Sequence, residues 1–462
     1  MSNEFPQSEE LAALISCVTL SASLPAPVHR LPPEILTRIF PLCAPSYDDP
    51  VRYDWQYRSA RRQIERLAQK HLLDLAGVCS QWLVLIMGTP SLWGSVEVDC
   101  TSAWSPRHMD ILTKVLQRSA GTPLKIYVRH IENTRQRAAL LMLAENSARW
   151  EEASLSLNWL GAEILSHVRG NLPQLKLLRI GSPELDAFET APLLTDVCVR
   201  SVVFPVIRWS QVKILEIWGL RTHYGALSVL PRCSMLIELF IILNGNSTLT
   251  APPDDEAITC DTVETLTLEG CDRDPYGYAA EILGHVLSSL TLPSLHKLCL
   301  LPTVAPWQQQ PFLGFSQRSS LSNTLTFLEI RGIDIDTADL VELLAELPSL
   351  RTLWLTDVAP SAERSEHIII NDYLLHSLTR TADSFVVPSL KQISLHSYAP
   401  FTTKAFLDFA TSRWDNPTRA SPVNIYLWIA ATAPDVDSAT VVELQAMATR
   451  LKCIFLYRKL RW

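Results

Sequence analysis

A spaced apolar pattern, L-x-x-L-x-L with other apolar residues admitted, recurs along most of this chain and restricts what it can fold into. Its anchors are Trp150, Leu175, Leu194, Val212, Leu236, Val263, Leu295, Leu325, Leu350 and Leu390. The clearest copies read LPQLKLLRI from Leu172, TVETLTLEG from Thr262, LPSLHKLCL from Leu292, LPSLRTLWL from Leu347 and VPSLKQISL from Val387. Side chains of an extended strand alternate between its two faces. The first, fourth and sixth positions of each copy therefore turn inward, and the third, fifth and seventh turn outward. A unit with one such apolar face cannot bury it alone and must stack on its neighbours.

Successive anchors lie 18 to 40 residues apart, from the Leu194–Val212 pair to the Leu350–Leu390 pair. That range brackets and then exceeds the 20 to 29 residues of leucine-rich repeats, so the longer units are expected to carry true helices. Three residues after the last strand position, such repeats favour a small polar side chain that bonds backbone. Asn158, Asn244, Cys271 and Thr303 occupy that slot, whereas Val202, Leu220, Ile333, Val358 and Tyr398 break the series. The expected fold is α/β: an irregular leucine-rich-repeat solenoid over 96–462, with a parallel, concave sheet and with helices or loops on the other side.

Both ends of such a stack need caps. Alternation at Val96–Val98 and Leu124–Val128, with helices over Pro106–Ala120 and Thr134–Asn146, predicts a capping region near 96–149. At the other end, NIYLWIAAT from Asn424, a helix over Asp437–Arg450 and the strand CIFLYRK would cap 423–462. APPDDEA from Ala251 and APWQQQPFLGFSQRSSLS from Ala305 read as surface loops between repeats.

The outward positions can be read from the same alternation. They include Arg179, Glu216 with Trp218, Phe240 with Ile242, Glu269, Phe327 with Glu329 and Arg331, Trp354, and His396. Aromatic rings and Arg on a solvent-facing sheet match the composition of protein-binding hot spots. Arg179, Trp218, Phe240, Phe327, Arg331 and Trp354 are the candidates for contact with a protein substrate. The competing reading has the segment from Ala305 or the C-terminal unit folding over these rings.

Ahead of the repeats lies VHRLPPEILTRIF, Val28 to Phe40. Pro33 can open a helix because its missing N–H costs nothing in the first turn, and Glu34 suits the helix dipole there. Ile35, Leu36, Ile39, Phe40, Leu42 and Cys43 then cover an arc of roughly 160°, wider than one packing contact requires. The surplus is either a docking face or a surface that packs on the following domain.

Leu31-Pro32-x-Glu34-Ile35-Leu36-x-x-Ile39-Phe40, followed by Val78-Cys79-x-x-Trp82 and Ser91-Leu92-Trp93, resembles the F-box. The likeness is to the F-box-like leucine-rich repeat proteins abundant in mushroom-forming fungi. It implies a small helical module over 28–95, preceded by a lead-in over 1–27, that attaches a substrate receptor to the Skp adaptor of an SCF-type cullin-RING ubiquitin ligase. It further implies that Leu31, Pro32, Glu34, Ile35, Leu36, Ile39, Phe40 and Trp82 contact or support that adaptor. The gap between Phe40 and Cys79 exceeds the F-box pattern by about two dozen residues, and the insertion near 46–69 carries Arg58, Arg61, Arg62 and Arg66 on a charged helical face.

Composition narrows the partners. With 462 residues, 47% of them hydrophobic, the chain can build a large core, and a net charge of −8 argues against nucleic acid or an anionic membrane as the main partner. The ten cysteines include no C-x-x-C pair and read as small buried hydrophobes of a reducing compartment, the cytoplasm or nucleus. The apolar run Leu11–Leu20 lacks the basic flank of a signal peptide, having Glu4, Glu9 and Glu10 before it, and no apolar run reaches the length of a membrane span. No phosphate-binding glycine loop, nucleophile elbow or zinc-spaced Cys/His set occurs. The expectation is a binding protein, not an enzyme, that needs no cofactor.

Overall fold

A computed structural model describes residues 31–43, 72–99, 106–129, 134–157, 163–181, 186–199, 206–218, 224–243, 257–270, 278–301, 307–357, 368–381, 386–397, 401–414, 423–430, 438–450 and 454–460. They fall in two compact units, one drawn from Met1–Leu194 with Pro205–Ile207 and the other from Thr195–Phe204 with Arg208–Trp462. The insertion at 46–69 and the polar slot residues Asn158, Asn244, Cys271 and Thr303 lie outside the described residues.

In the first unit, helix α1 (Pro33–Cys43) and helix α2 (Ser80–Gly88) pack together. Cys79 caps α2, its Sγ accepting from the Trp82 N–H. A 3₁₀ turn (Pro90–Trp93) then leads into strand β1 (Ser95–Asp99). The next unit of the chain repeats this layout: helix α3 (Pro106–Arg118) and strand β2 (Leu124–Arg129), then helix α4 (Thr134–Ala144), a 3₁₀ turn (Ser147–Arg149) and strand β3 (Trp150–Ser156). Strand β4 (Leu177–Ile180) completes a parallel run, β1-β2-β3-β4. The indole of Trp93 donates to Ile86 O and that of Trp150 to Leu143 O, each seven residues back, at 2.8 and 3.1 Å. An indole bond of the same span thus closes each of the two helix-to-strand turns. Gly94 is required between them, because a Cβ there would sit 2.8 Å from Pro123 O.

The second unit carries β5 (Asp196–Val199), β6 (Ile214–Trp218), β7 (Glu238–Leu243), β9 (Thr265–Gly270), β11 (Lys297–Leu300), β12 (Phe327–Arg331), β13 (Thr352–Thr356), β14 (Gln392–Ser397), β15 (Asn424–Ala430) and β16 (Phe455–Leu460), neighbours in that order and parallel. Two short strands, β8 (Ile258–Thr259) and β10 (Leu290–Thr291), pair with each other. Register brings the repeated leucines into ladders. Leu215, Leu239, Leu266, Leu298, Leu328, Leu353, Ile393 and Ile425 face one another strand to strand, as do Ile217, Ile241, Leu268, Leu300, Ile330, Leu355, Leu395 and Leu427. All are buried. At about 25 cal/mol per Å² of apolar area removed from water, these two ladders and the helices over them dominate the stability of the unit.

Repeat length sets what fills the other side. Between β5 and β6, 18 residues apart at their anchors, the described residues hold the 3₁₀ turn Trp209–Gln211. From β9 onward the longer repeats carry α5 (Tyr278–Ser289), α6 (Gln309–Arg318) with the short α7 (Leu321–Thr324), α8 (Thr337–Ala345), α9 (Asp372–Leu378), α10 (Thr403–Trp414) and α11 (Ser438–Arg450). The 30- to 40-residue repeats carry helices as their spacings imply, and the 25-residue repeat from Leu325 to Leu350 carries one as well. The segment from Ala305, expected as a surface loop, is instead mostly helical. Pro311 falls in the first turn of α6, where it does not interrupt the hydrogen bonds, and Phe312 and Phe315 are fully buried where α6 packs on α5 and α8. It forms part of the helix layer.

Polar groups tie repeat to repeat. Arg149 Nε donates to Thr122 O and its Nη2 to Ser119 Oγ. Arg318 Nη2 reaches Leu287 O and Ser288 O, and Arg413 reaches Leu378 O, Val386 O and Val387 O. Each arginine sits 26 to 35 residues after the carbonyls it caps, one repeat on. Burial pulls the Arg413 pKa down to about 10, which leaves it charged at neutral pH. Asp357, one residue before the expected slot, accepts from the Ile369 and Ile370 N–H groups and from Ser397 Oγ at 2.9 to 3.0 Å.

Candidate functional site

Two surfaces hold the residues that the sequence singles out. The first is the α1–α2 pair. Its apolar arc divides instead of standing exposed as a whole. Leu36 and Phe40, one turn apart, are fully buried. The Phe40 ring meets Trp82 edge-on with 5.0 Å between centroids, so these three residues are internal supports. Ile35 is 41% exposed and Ile39 is half-buried on the adjoining face, with Leu31 half-buried and Pro32 and Glu34 exposed ahead of them. On α2, Val84 is 70% exposed. The i, i+4 rule explains the split: 36 and 40 lie on one stripe, 35 and 39 on the next.

The second surface is the strand face opposite the leucine ladders. It is made of three outward rows in register. The middle row of the second unit runs Cys198, Glu216, Phe240, Thr267, Cys299, Glu329, Trp354, Ser394 and Tyr426. On one side of it lie Thr265, Lys297, Phe327, Thr352 and Gln392; on the other, Arg331, Thr356, His396, Trp428 and Arg458. Trp218, Phe240, Phe327 and Arg331 are half-buried and Trp354 is 37% exposed. Arg179 is half-buried on the corresponding row of the first unit, opposite Ser154 of β3. Glu269, Glu329 and Ile242, though on outward positions, are buried.

The face has an ordered polar and aromatic texture. Phe327 and Trp354 meet edge-on at 5.3 Å, and Lys297 Nζ lies 4.9 Å above the Phe327 ring. Arg331 Nη2 bonds Glu329 Oε1 at 2.7 Å. His396 stacks on Trp428 at 5.3 Å, and the Arg458 guanidinium lies 5.7 Å from the Trp428 ring. Desolvation, with help from the nearby Arg331 charge, lowers the His396 pKa to about 4, so it is neutral at physiological pH. Trp218 Nε1 donates to Glu216 Oε1.

Trp428 and Arg458 were not singled out because their strands read as end caps. Continuing the same alternation, with Ile425, Leu427 and Ile429 inward, would have placed Tyr426 and Trp428 outward.

The buried Cys299 thiol is pushed up to about 12 by desolvation and by the Glu329 carboxylate, and Cys233 to about 12 chiefly by burial, which suppresses thiolate formation. Among the described residues no group of His, Cys, Asp and Glu could hold a metal ion, and no helix is long and apolar enough to cross a membrane.

No family model matches the chain, and no curated protein does. Among solved structures, the yeast complex of Rad7 and Elc1 is similar at 15% identity over 92% of this chain and 91% of that one, with a TM-score of 0.31.

Proposed function

We propose that this chain is the substrate-recognition subunit of an SCF-type cullin-RING E3 ubiquitin ligase of the cytoplasm or nucleus. The α1–α2 pair docks the Skp adaptor, and the strand face holds a protein substrate. The chain itself is not an enzyme; it brings substrate to the catalytic subunits of its partners. The observation that carries the reading is the strand face of the parallel sheet, where Phe240 and Trp354 share the middle outward row, Phe327 meets Trp354 edge-on from one flanking row, and Trp218 and Arg331 stand on the other. Aromatic and Arg side chains on such a frame form protein-binding surfaces. The F-box-like anchors supply the adaptor assignment, with Ile35 and Ile39 as the contacts and Leu36, Phe40 and Trp82 as their supports.

A second reading is favoured by the burial of Leu36 and Phe40. If half of the apolar arc serves the module's own packing, the chain can be a leucine-rich-repeat scaffold that recruits no ligase. Co-purification with the Skp adaptor separates the two. Wild type retained and an Ile35→Asp/Ile39→Asp variant lost, with unchanged circular dichroism, supports the ligase reading. Failure of the wild type to bind leaves the scaffold reading.

A further inference from the structure

The three outward rows of the second unit are divided by charge. Among the described residues, on β5, β6, β7 and β9 they carry Asp196, Glu216, Glu238 and Glu269 and no Lys or Arg, Arg200 after β5 lying outside the described residues. On β11 to β16 they carry Lys297, Arg331 and Arg458, and their one carboxylate is Glu329, buried and bonded to Arg331.

We infer that the β11–β16 part of this face takes an acidic segment of a partner protein, laid across the strands with its apolar side chains on Trp354 and Trp428. The inference rests on the strand face being the partner-binding surface. Five strand spacings separate β11 from β16, roughly 24 Å, which an extended segment of about seven residues spans. Cations stand at both ends of that path, Lys297 over Phe327 and Arg458 beside Trp428. The exposed ring of Trp354 lies between them in strand order. Carboxylates at the two ends of a bound segment would meet these cations, and a central apolar residue would meet the ring. The acidic rows on β5 to β9 repel the same segment, so they fix where on the sheet it lies.

The test uses the full chain and three fluorescein-labelled probes followed by anisotropy: Glu-Glu-Leu-Trp-Leu-Glu-Glu and its counterparts with Gln or Lys in place of Glu. The acidic probe should bind best, and more weakly as salt is raised, with the Lys probe at least about ten-fold weaker. Lys297→Glu with Arg458→Glu should weaken the acidic probe by about ten-fold or more, while Glu443→Lys, at an exposed position of helix α11, should leave it within about two-fold. Acidic-probe binding that ignores the double change overturns the inference. So does a Gln or Lys probe that binds as well and is lost on Trp354→Asp, although the face then remains a partner-binding surface. If none of the three probes binds wild type, the reading of the face falls with the inference.

Discussion

Phe40 and Trp82, 42 residues apart in the chain, meet edge-on with 5.0 Å between ring centroids. That contact joins the two halves of the N-terminal helix pair across the insertion between them. Phe40 is fully buried and Ile35, five residues earlier on the same helix, is 41% exposed. Two neighbouring stripes of α1 therefore have different tasks.

Truncation should tell them apart. Phe40→Ala leaves a cavity beside Trp82 and should cost about 3–5 kcal/mol in the stability of this region. Ile35→Asp changes an exposed position and should stay within about 0.5 kcal/mol. Urea denaturation followed by Trp fluorescence measures both. Equal losses at the two sites would mean that the stripes are not divided in this way.

How far the sequence foretold this depends on the range of the interactions. The leucine ladders could be read because each strand states its own inward face by a two-residue alternation, and the copies repeat it. Repeat length likewise announces the helices of the 30- to 40-residue repeats, but not α8 in the 25-residue repeat from Leu325. The ties between repeats were invisible, since Arg149, Arg318 and Arg413 act on carbonyls a whole repeat away and no local pattern marks them. The α6 segment looks like a loop in sequence because of its Gln, Ser, Pro and Gly, while Pro311 sits where a helix tolerates it. On the outward strand face, the positions of Trp218, Phe240, Phe327, Arg331 and Trp354 follow from alternation, but the burial of Glu269 and Glu329 does not. Side-chain burial there is decided by neighbouring strands.

Asp357 offers a second test. Its carboxylate holds two backbone N–H groups and the Ser397 hydroxyl, all buried. Asp357→Ala would leave those donors without this acceptor, and at about 1–3 kcal/mol for each unsatisfied group the loss should reach several kcal/mol. Asp357→Asn keeps one carbonyl oxygen and should lose less. Thermal unfolding of both variants checks the order; a tolerated alanine would count against a structural carboxylate.

His396 predicts a pH dependence. Its pKa falls from 6.5 to about 4 on folding, with burial as the larger cause and the Arg331 charge as the second. Between those values the unfolded chain binds the proton more readily, so acid favours unfolding there. The stabilisation is fully present above about pH 6.5 and is lost as pH falls towards about 4. Allowing for screening at a partly exposed ring, the effect should be on the order of 1–2 kcal/mol. Denaturation midpoints from pH 7 to pH 4, compared with His396→Gln, isolate it: the wild-type slope should be steeper.

Arg413 makes the most demanding prediction about the repeat-to-repeat ties. Its guanidinium is 6% exposed and forks to Leu378 O at 2.6 and 2.9 Å, Val386 O at 2.8 Å and Val387 O at 3.2 Å. Leu378 ends helix α9, and Val387 stands at φ +47, a left-handed conformation that a β-branched residue rarely adopts. One planar group thus caps a helix end and holds an unfavourable turn at once. Lysine keeps the charge but cannot reproduce the fork. Arg413→Lys should therefore cost about 2 kcal/mol or more, and Arg413→Leu more again because the carbonyls lose every donor this side chain supplies. Hydrogen exchange locates the damage. Faster exchange confined to α9, α10 and the 386–397 segment would support a local tie, and unchanged protection in Arg413→Lys would show that charge alone suffices.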